Sequence, residues 1–139
     1  MASYAATINV DASPEDAFAY LRDPEHRIEW DPSVRRVSDR GDGSYAVTVG
    51  FYGKAIDAVQ TVESTREPEE IVLTTSGKVK GREVITIAPR DGGSSVTIEL
   101  DVQLKGMARL LDRGLQVAFA GIGDNIATEM TKQLNRQRG

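Results

Sequence analysis

The chain has 139 residues, a length with room for one core, so we predict a single domain over residues 1–139. Hydrophobic residues account for 40% and charged residues for 27% of the chain, the mixture typical of a water-soluble globular protein. Cysteine is absent, which excludes disulfides, thiolate metal sites, iron–sulfur clusters and cysteine nucleophiles.

Charge and hydropathy limit the partners further. The net charge is −4, and because phosphate binding needs a basic surface we predict no nucleic-acid partner. His26 is the single histidine, so we predict no metal site and no cofactor. The apolar runs are short and no secretory signal opens the chain, so we expect no stable membrane insertion and a cytoplasmic location.

The first elements are one strand and two short helices. Residues 4–10 alternate between apolar and polar side chains, which predicts a half-buried strand. Ser13 and Pro14 then form a helix start signal, because serine caps a helix and proline fits its first turn. The pair Asp23-Pro24 repeats this signal and predicts a second short helix that runs to about Trp30.

Six strands follow, joined by turns rich in glycine, proline and aspartate. Patterns are visible for five of these strands, over residues 45–51, 56–63, 71–75, 82–88 and 96–104. The last pattern is the clearest, since Val96 and Ile98 fall on one face while Thr97 and Glu99 fall on the other. An antiparallel sheet with one covered face shows this alternation.

A long helix closes the chain. From Met107 the apolar period changes from two to about 3.6 residues, which predicts an amphipathic helix of about 28 residues. Seven antiparallel strands and one such helix bury their apolar faces by packing against each other. We therefore predict an α+β helix-grip fold, with a curved seven-stranded antiparallel sheet wrapped round the C-terminal helix and two short helices between strands 1 and 2.

Several segments resemble the START/Bet v 1-like superfamily (SRPBCC), in particular its bacterial polyketide cyclase/dehydrase and lipid-transport branch. The resemblance covers nearly the whole chain and is carried by ATINVDASPEDAF (6–18), YLRDPE (20–25), EWDP (29–32), DGG before VT (91–97) and LKG (104–106). It implies a cavity between sheet and long helix that holds an apolar small molecule. It implies no catalytic residue, because the superfamily hosts carriers, receptors, cyclases, hydrolases and chaperone activators without a shared catalytic signature.

The candidate ligand-contacting residues are predominantly apolar side chains of the predicted interior: Trp30, Tyr45, Phe51, Gln60, Arg82, Met107, Leu111, Leu115 and Phe119. The resemblance places Trp30 near the cavity mouth, where it stacks on a ligand or packs in the core. Gln60 shares the phase of the inward residues and needs a partner, which is either a ligand oxygen, a neighbouring strand or a buried water. For the apolar candidates, plain packing is the competing interpretation.

Arg82 and Glu83 pose a question of register. If Val84 faces inward, so does Arg82; if Ile85 faces inward, so does Glu83. Pairing with the last strand mildly favours Ile85 inward, and an inward charge needs a partner. An inward Arg82 would hold a carboxylate or enolate oxygen. We favour the alternative in which both charges lie in solvent near the strand end.

Two further features have competing interpretations. The long helix contains Gly114, Gly121 and Gly123, each of which lowers helix stability by about 1 kcal/mol relative to alanine. They mark either a thinned wall beside a bulky ligand or a close approach of helix and sheet. His26 is interpreted as an exposed residue rather than a catalytic base.

Three functions therefore stay open. The leading one is binding or transport of an apolar small molecule, such as a lipid, polyketide or quinone-like compound. The second is a polyketide cyclase/dehydratase-type enzyme that orients its substrate and stabilises an enolate. The third is an interaction protein with a collapsed pocket. An inward Arg82 or Glu83 beside Gln60 and a tyrosine hydroxyl would favour the enzyme, and a purely apolar pocket would favour the carrier.

Overall fold

The computed structural model describes residues 2–51, 54–104 and 108–137, with side chains described for residues 3–50, 55–103 and 120–137. Its elements follow the predicted order. They are β1 (Ala2–Val10), α1 (Pro14–Leu21), a 3₁₀ turn (Pro24–His26), α2 (Arg27–Trp30), β2 (Val34–Asp39), β3 (Ser44–Phe51), β4 (Lys54–Arg66), β5 (Glu70–Gly77), β6 (Val79–Arg90), β7 (Gly93–Leu104) and α3 (Ala108–Arg136).

The strands form one antiparallel sheet in the order β1-β7-β6-β5-β4-β3-β2, so β1 and β2 are its edges. The described part of α3 packs against β1 and α2. The predicted α+β helix-grip fold is confirmed, because the sheet has seven strands and the two short helices lie between β1 and β2.

Local capping explains where the short helices begin. The Ser13 hydroxyl accepts a hydrogen bond from the Asp16 backbone N–H at 3.1 Å, and Pro14 opens α1. The Asp23 carboxylate caps the 3₁₀ turn in the same way, accepting from the Glu25 N–H at 3.0 Å. The turn continues into α2, and the predicted end of the second helical segment at Trp30 is confirmed.

The central strands are longer than their patterns predict. β5 and β6 extend beyond residues 71–75 and 82–88, to Glu70–Gly77 and Val79–Arg90. Backbone pairing continues wherever a neighbouring strand is present, even where the side chains no longer alternate. Gly77 has a φ of 112°, which only glycine adopts readily, and this residue reverses the chain between the two strands.

The core lies between the concave face of the sheet and the helices. Its largest fully buried side chains are Trp30, Phe18, Ile71, Ile85, Ile98, Met130 and Leu134. In the ranges that the structure describes, no helix is long and apolar enough to cross a membrane.

Gly121 and Gly123 of α3 differ from each other in their surroundings. A Cβ at Gly123 would meet the ring of Tyr4, whose hydroxyl donates to Asp124 Oδ1 at 3.1 Å, so the glycine permits a close approach of α3 and β1. A Cβ at Gly121 would meet nothing within 4 Å. Gly114 lies outside the described side chains.

Candidate functional site

A cavity of about 130 Å³ lies on the concave side of the sheet, between its central strands and the helices α2 and α3. Its wall is mainly aliphatic, with side chains from four strands and α3: Val47, Val49, Ile56, Ala58, Val79, Leu100, Val102, Ile122 and Ile126. An apolar cavity of about 150 Å³ suffices to bind benzene, so this space suits a ring or a short alkyl chain.

A cross-strand row of the sheet borders the cavity. Gln60 pairs with Thr75, Thr75 with Gly81, and Gly81 with Val102, and all of these residues border the cavity. Gly81 contributes no side chain to this row. Ala58, in the preceding inward position of β4, fills little volume. The sheet therefore supplies one wall of the cavity, in which Gly81 and Ala58 occupy little volume.

One end of the cavity is charged, although it is buried. Arg27 donates through Nη1 to Glu83 Oε1 at 2.5 Å and through Nη2 to Glu83 Oε2 at 2.9 Å. Its Nε donates to Asp31 Oδ2 at 3.0 Å. The other Asp31 oxygen accepts from the backbone N–H of Ser33 at 3.0 Å and from its hydroxyl at 2.6 Å. We call Arg27, Asp31 and Glu83 the ionic cluster; each is at most 7% exposed.

The two carboxylates of the ionic cluster keep the Arg27 guanidinium protonated. Burial lowers the pKa of the Arg27 guanidinium, but the charges of Glu83 and Asp31 and the hydrogen bonds to them outweigh burial and raise it overall. The guanidinium also lies 4.6 Å from the centre of the Trp30 ring, a cation–π distance. Arg27 is therefore permanently charged, and its guanidinium is surrounded by two carboxylates and an aromatic ring.

Gln60 brings a second polar group to the cavity. The residue is 5% exposed, and its Oε1 atom has no hydrogen-bond partner. The predicted inward orientation of this side chain is confirmed. An unpaired buried amide oxygen is unfavourable, so this residue is a polar exception in a mainly apolar wall.

The chain matches the family model described as polyketide cyclase/dehydrase and lipid transport over residues 1–135. It belongs to this family. No curated protein is similar enough in sequence to count as a match. The family membership agrees with the resemblance on which the predicted cavity rests.

Solved structures share the fold of this polyketide cyclase/dehydrase and lipid-transport family member. The protein TTHA0849 from Thermus thermophilus is 14% identical, with a TM-score of 0.82 and 99% of each chain covered. A START superfamily protein from Mycobacterium smegmatis is 16% identical, with a TM-score of 0.80 over 96% of this chain and 97% of its own. The di-domain ARO/CYC StfQ from the steffimycin biosynthetic pathway is 13% identical, with a TM-score of 0.71 over 97% of this chain and 51% of its own. These low identities show a common fold and nothing further.

The position of the two charges on β6 corrects one prediction. Ile85 pairs with Ile98 and is fully buried, so the favoured register is confirmed and Glu83 faces inward with it. The expectation that both charges lie in solvent was wrong for Glu83, because Arg27 compensates its charge inside the protein.

Arg82 borders the cavity, but its side chain is on the outer face of the sheet. This side chain is 58% exposed, and its Nε lies 3.8 Å from Glu63 Oε2. Among the side chains that the structure describes, the buried cation that borders the cavity is Arg27, which the sequence analysis did not identify. Its i,i+4 spacing to Asp31, the residue directly after α2, was the available signal, together with the need of an inward Glu83 for a countercharge.

The aromatic candidates lie beside the cavity rather than in its described wall. Trp30 is 2% exposed and packs beneath Arg27, and its Nε1 has no hydrogen-bond partner. Tyr45 pairs with Gln60 across strands and is half-buried; burial and the charges of Asp39, Asp23 and Glu25 raise the pKa of its hydroxyl. Neither residue is among the described residues that border the cavity, and their roles in ligand binding stay predictions.

The remaining candidates lie outside the described residues. Met107 is not described, and the side chains of Phe51, Leu111, Leu115 and Phe119 are not described either. Their proposed contacts with a ligand therefore stay predictions.

His26 has a local structural role. Its Nδ1 donates to the Tyr20 carbonyl oxygen at 2.7 Å, and the two rings stack with centroids 4.6 Å apart. The residue is half-buried rather than exposed. Among the described residues, no group of three or more histidine, aspartate or glutamate side chains is placed to hold a metal ion.

Proposed function

We propose that this protein binds an apolar small molecule in the cavity between the sheet and α3. The observation that carries the proposal is an aliphatic cavity of about 130 Å³ with polar groups at one end. Burial of apolar ligand surface is the driving force, at roughly 25 cal/mol per Å². Membership of a family described by lipid transport supports this function.

The shape of the site suggests the form of the ligand. Val47, Val49 and Val102 provide an apolar wall, while Gln60 and the ionic cluster lie where a single polar group would be placed. Few, precisely placed polar groups in an apolar pocket are typical of small-molecule sites. The proposed ligand therefore has a compact apolar body and one polar group.

A specific observation also favours an enzyme as the second candidate. Glu83 faces inward and borders the same cavity as Gln60, and Arg27 has N–H groups beyond the three that bond to Glu83 and Asp31. Such donors would stabilise an enolate oxygen. The fold shared with an ARO/CYC protein supports this alternative.

The bonding of the carboxylates makes binding the preferred function. Both Glu83 oxygens accept from Arg27, and both Asp31 oxygens have donors, so the structure uses these carboxylates to hold Arg27 and Ser33 in place. Among the described tyrosines, Tyr4 and Tyr20 donate to Asp124 and Glu29 rather than to the cavity. An interaction protein with a collapsed pocket receives less support, since a cavity is present and Ile28 is the only large hydrophobic residue found exposed in the described ranges.

Ligand binding is tested by filling the cavity. We would titrate the protein with benzene by ligand-observed NMR, for the wild type and for Ala58→Leu, whose larger side chain occupies the cavity. Ala46→Leu is the matched control, because Ala46 lies on the same sheet but is exposed on its outer face. We expect binding by the wild type and Ala46→Leu, and at least a tenfold loss in Ala58→Leu. Absence of binding by the wild type, or equal binding by all three, contradicts the proposal.

Native mass spectrometry of freshly purified protein separates the two candidate functions. We expect a bound apolar molecule at near-stoichiometric occupancy, which extraction would then identify. Conversion of that molecule during incubation with the wild-type protein, and its loss in Arg27→Lys, would instead establish the enzyme.

A further inference from the structure

We propose that Gln60 determines which polar group a ligand of this cavity carries. Its side-chain amide nitrogen donates a hydrogen bond into the cavity, so the site selects an uncharged molecule with an acceptor oxygen, such as a carbonyl. This inference rests on the proposed function, since it concerns the polar group of the same ligand. It names the ligand class as a ring-sized, neutral carbonyl compound.

The first observation is the orientation of the Gln60 amide. The residue borders the cavity and is 5% exposed. Its two polar atoms differ, because Oε1 is completely buried while Nε2 keeps accessible surface. Among the described residues, no oxygen accepts a hydrogen bond from Nε2. The amide therefore presents its donor, and not its acceptor, to the cavity.

The residues around Gln60 do not replace a ligand as acceptor. Its inward neighbours along β4 are Ala58 and Val62, which carry no polar side-chain atoms. Its cross-strand partners are Tyr45 and Thr75, and neither side chain bonds to the amide. An apolar ligand that fills the cavity leaves the Nε2 hydrogens unpaired, whereas an acceptor oxygen pairs one of them.

The second observation is the charge of the ionic cluster, which excludes an anionic acceptor. Arg27 faces both Asp31 and Glu83, which leaves one formal negative charge, and burial means that water screens it weakly. The other cation that borders the cavity in the described ranges is Arg82, whose side chain lies outside near Glu63. A carboxylate ligand would therefore be repelled and would lack a countercharge.

The third observation concerns a cationic ligand, which the net charge alone would attract. The Glu83 oxygens already accept from Arg27, and the Asp31 oxygens accept from Arg27 and Ser33. An ammonium group beside Gln60 would place donor against donor, and it would lose its hydration on entering an apolar cavity. A neutral acceptor pairs with Gln60 and brings no charge into the buried site.

The test uses three probes built on one six-membered ring: cyclohexanone, its hydrocarbon isostere methylenecyclohexane, and cyclohexylammonium. Dissociation constants are measured by ligand-observed NMR at neutral pH for the wild type, Gln60→Met, Gln60→Leu and Thr75→Val. Both Gln60 variants remove the donor and keep a side chain of similar volume. Thr75→Val is the matched control, because it removes a hydroxyl from the paired position of the neighbouring strand.

Transfer from water by itself favours the hydrocarbon, so the informative quantity is the ratio of the ketone and hydrocarbon dissociation constants. We expect both Gln60 variants to shift this ratio about tenfold against the ketone, the effect of one hydrogen bond. Thr75→Val should leave the ratio within about twofold of the wild type. Cyclohexylammonium should bind the wild type more weakly than cyclohexanone. Without ligand, both Gln60 variants should be at least as stable as the wild type, because they remove an unpaired buried oxygen.

The outcomes separate this inference from the proposed function. If the ratio is the same in the wild type and both Gln60 variants, or if it shifts only in Thr75→Val, the cavity binds ligands but the assignment to Gln60 is wrong. If cyclohexylammonium binds the wild type more tightly than cyclohexanone, the net charge governs selection and the inference is wrong. If no probe binds, and benzene does not bind either, the proposed function fails together with the inference.

Discussion

Arg27 and Glu83 form a two-point ion pair that ties α2 to β6 at the polar end of the cavity, with N–O distances of 2.5 and 2.9 Å. Their side chains are 9% and 4% exposed. Because each charge neutralises the other, both side chains can stay buried. The same ion pair holds α2, which also carries Trp30, against the sheet. The polar wall of the cavity is thus part of what positions α2.

Breaking this pair should be strongly destabilising. We expect Arg27→Met to lower the free energy of unfolding by about 3–5 kcal/mol, because it leaves the buried Glu83 and Asp31 without a countercharge. Urea denaturation followed by Trp30 fluorescence measures the loss. The double variant Arg27→Met/Glu83→Leu should recover a large part of it, since one uncompensated charge is removed. A loss below about 1 kcal/mol in the single variant would contradict a buried charge pair.

The two helix glycines should respond oppositely to alanine. Gly121→Ala should raise the free energy of unfolding by up to about 1 kcal/mol, because the added Cβ meets no neighbour and alanine favours the helix. Gly123→Ala should lower it, because its Cβ meets the Tyr4 ring. Combining Gly123→Ala with Tyr4→Ala should remove the steric part of that loss. Equal stabilisation by both single substitutions would show that α3 and β1 do not approach closely.

The hydroxyl of Tyr20 should make stability depend on alkaline pH. Burial, followed by its hydrogen bond and charge interaction with Glu29, raises the pKa of Tyr20 above the ordinary value of 10.0. A raised folded-state pKa stabilises the fold fully below pH 10.0, and this contribution is lost as the pH rises above that value. The stability difference between wild type and Tyr20→Phe should therefore shrink from about pH 9 to about pH 11. A constant difference across that range would refute the raised pKa.

Ser94 should stabilise the junction between β1 and β7. Its hydroxyl is fully buried and donates to the Ala12 carbonyl oxygen at 2.6 Å. Ser94→Ala leaves that carbonyl without this donor and should lower the free energy of unfolding by about 1–3 kcal/mol. The neighbouring Ser95→Ala, on the opposite face of the strand, should change it by less than about 0.5 kcal/mol. Thermal and urea unfolding of both variants decide this, and equal effects would contradict the role of the Ser94 hydroxyl.

Features that depend on near neighbours in sequence were predicted well. The Ser13 cap acts over three residues, and its bond to Asp16 lies where the sequence pattern places it. Inward orientation of Gln60 followed from the two-residue period of a strand, which no tertiary contact needs to establish. The period alone left two registers open for β6, and pairing across the adjacent hairpin with the last strand favoured the one with Ile85 inward, which the structure has.

Features that depend on distant residues were missed or left open. Arg27 and Glu83 are 56 residues apart, so no local pattern in either segment indicates their pairing. For the same reason, the solvent position expected for Glu83 was wrong: a lone charge belongs in water, and only a partner from another element changes that balance. The close approach that Gly123 permits likewise depends on Tyr4, at the other end of the chain.

The sequence by itself determined the order of the elements, the inner and outer faces of the clearly alternating strands such as β1 and β7, and the family resemblance, because periodicity and capping act within a few residues. Only the tertiary structure decided that the inward charge is Glu83, that Arg27 neutralises it, and that Gln60 keeps an unpaired oxygen beside a cavity of about 130 Å³. These properties depend on which side chains from separate elements are buried together, and the electrostatic balance of a buried site exists only once all of them are in place.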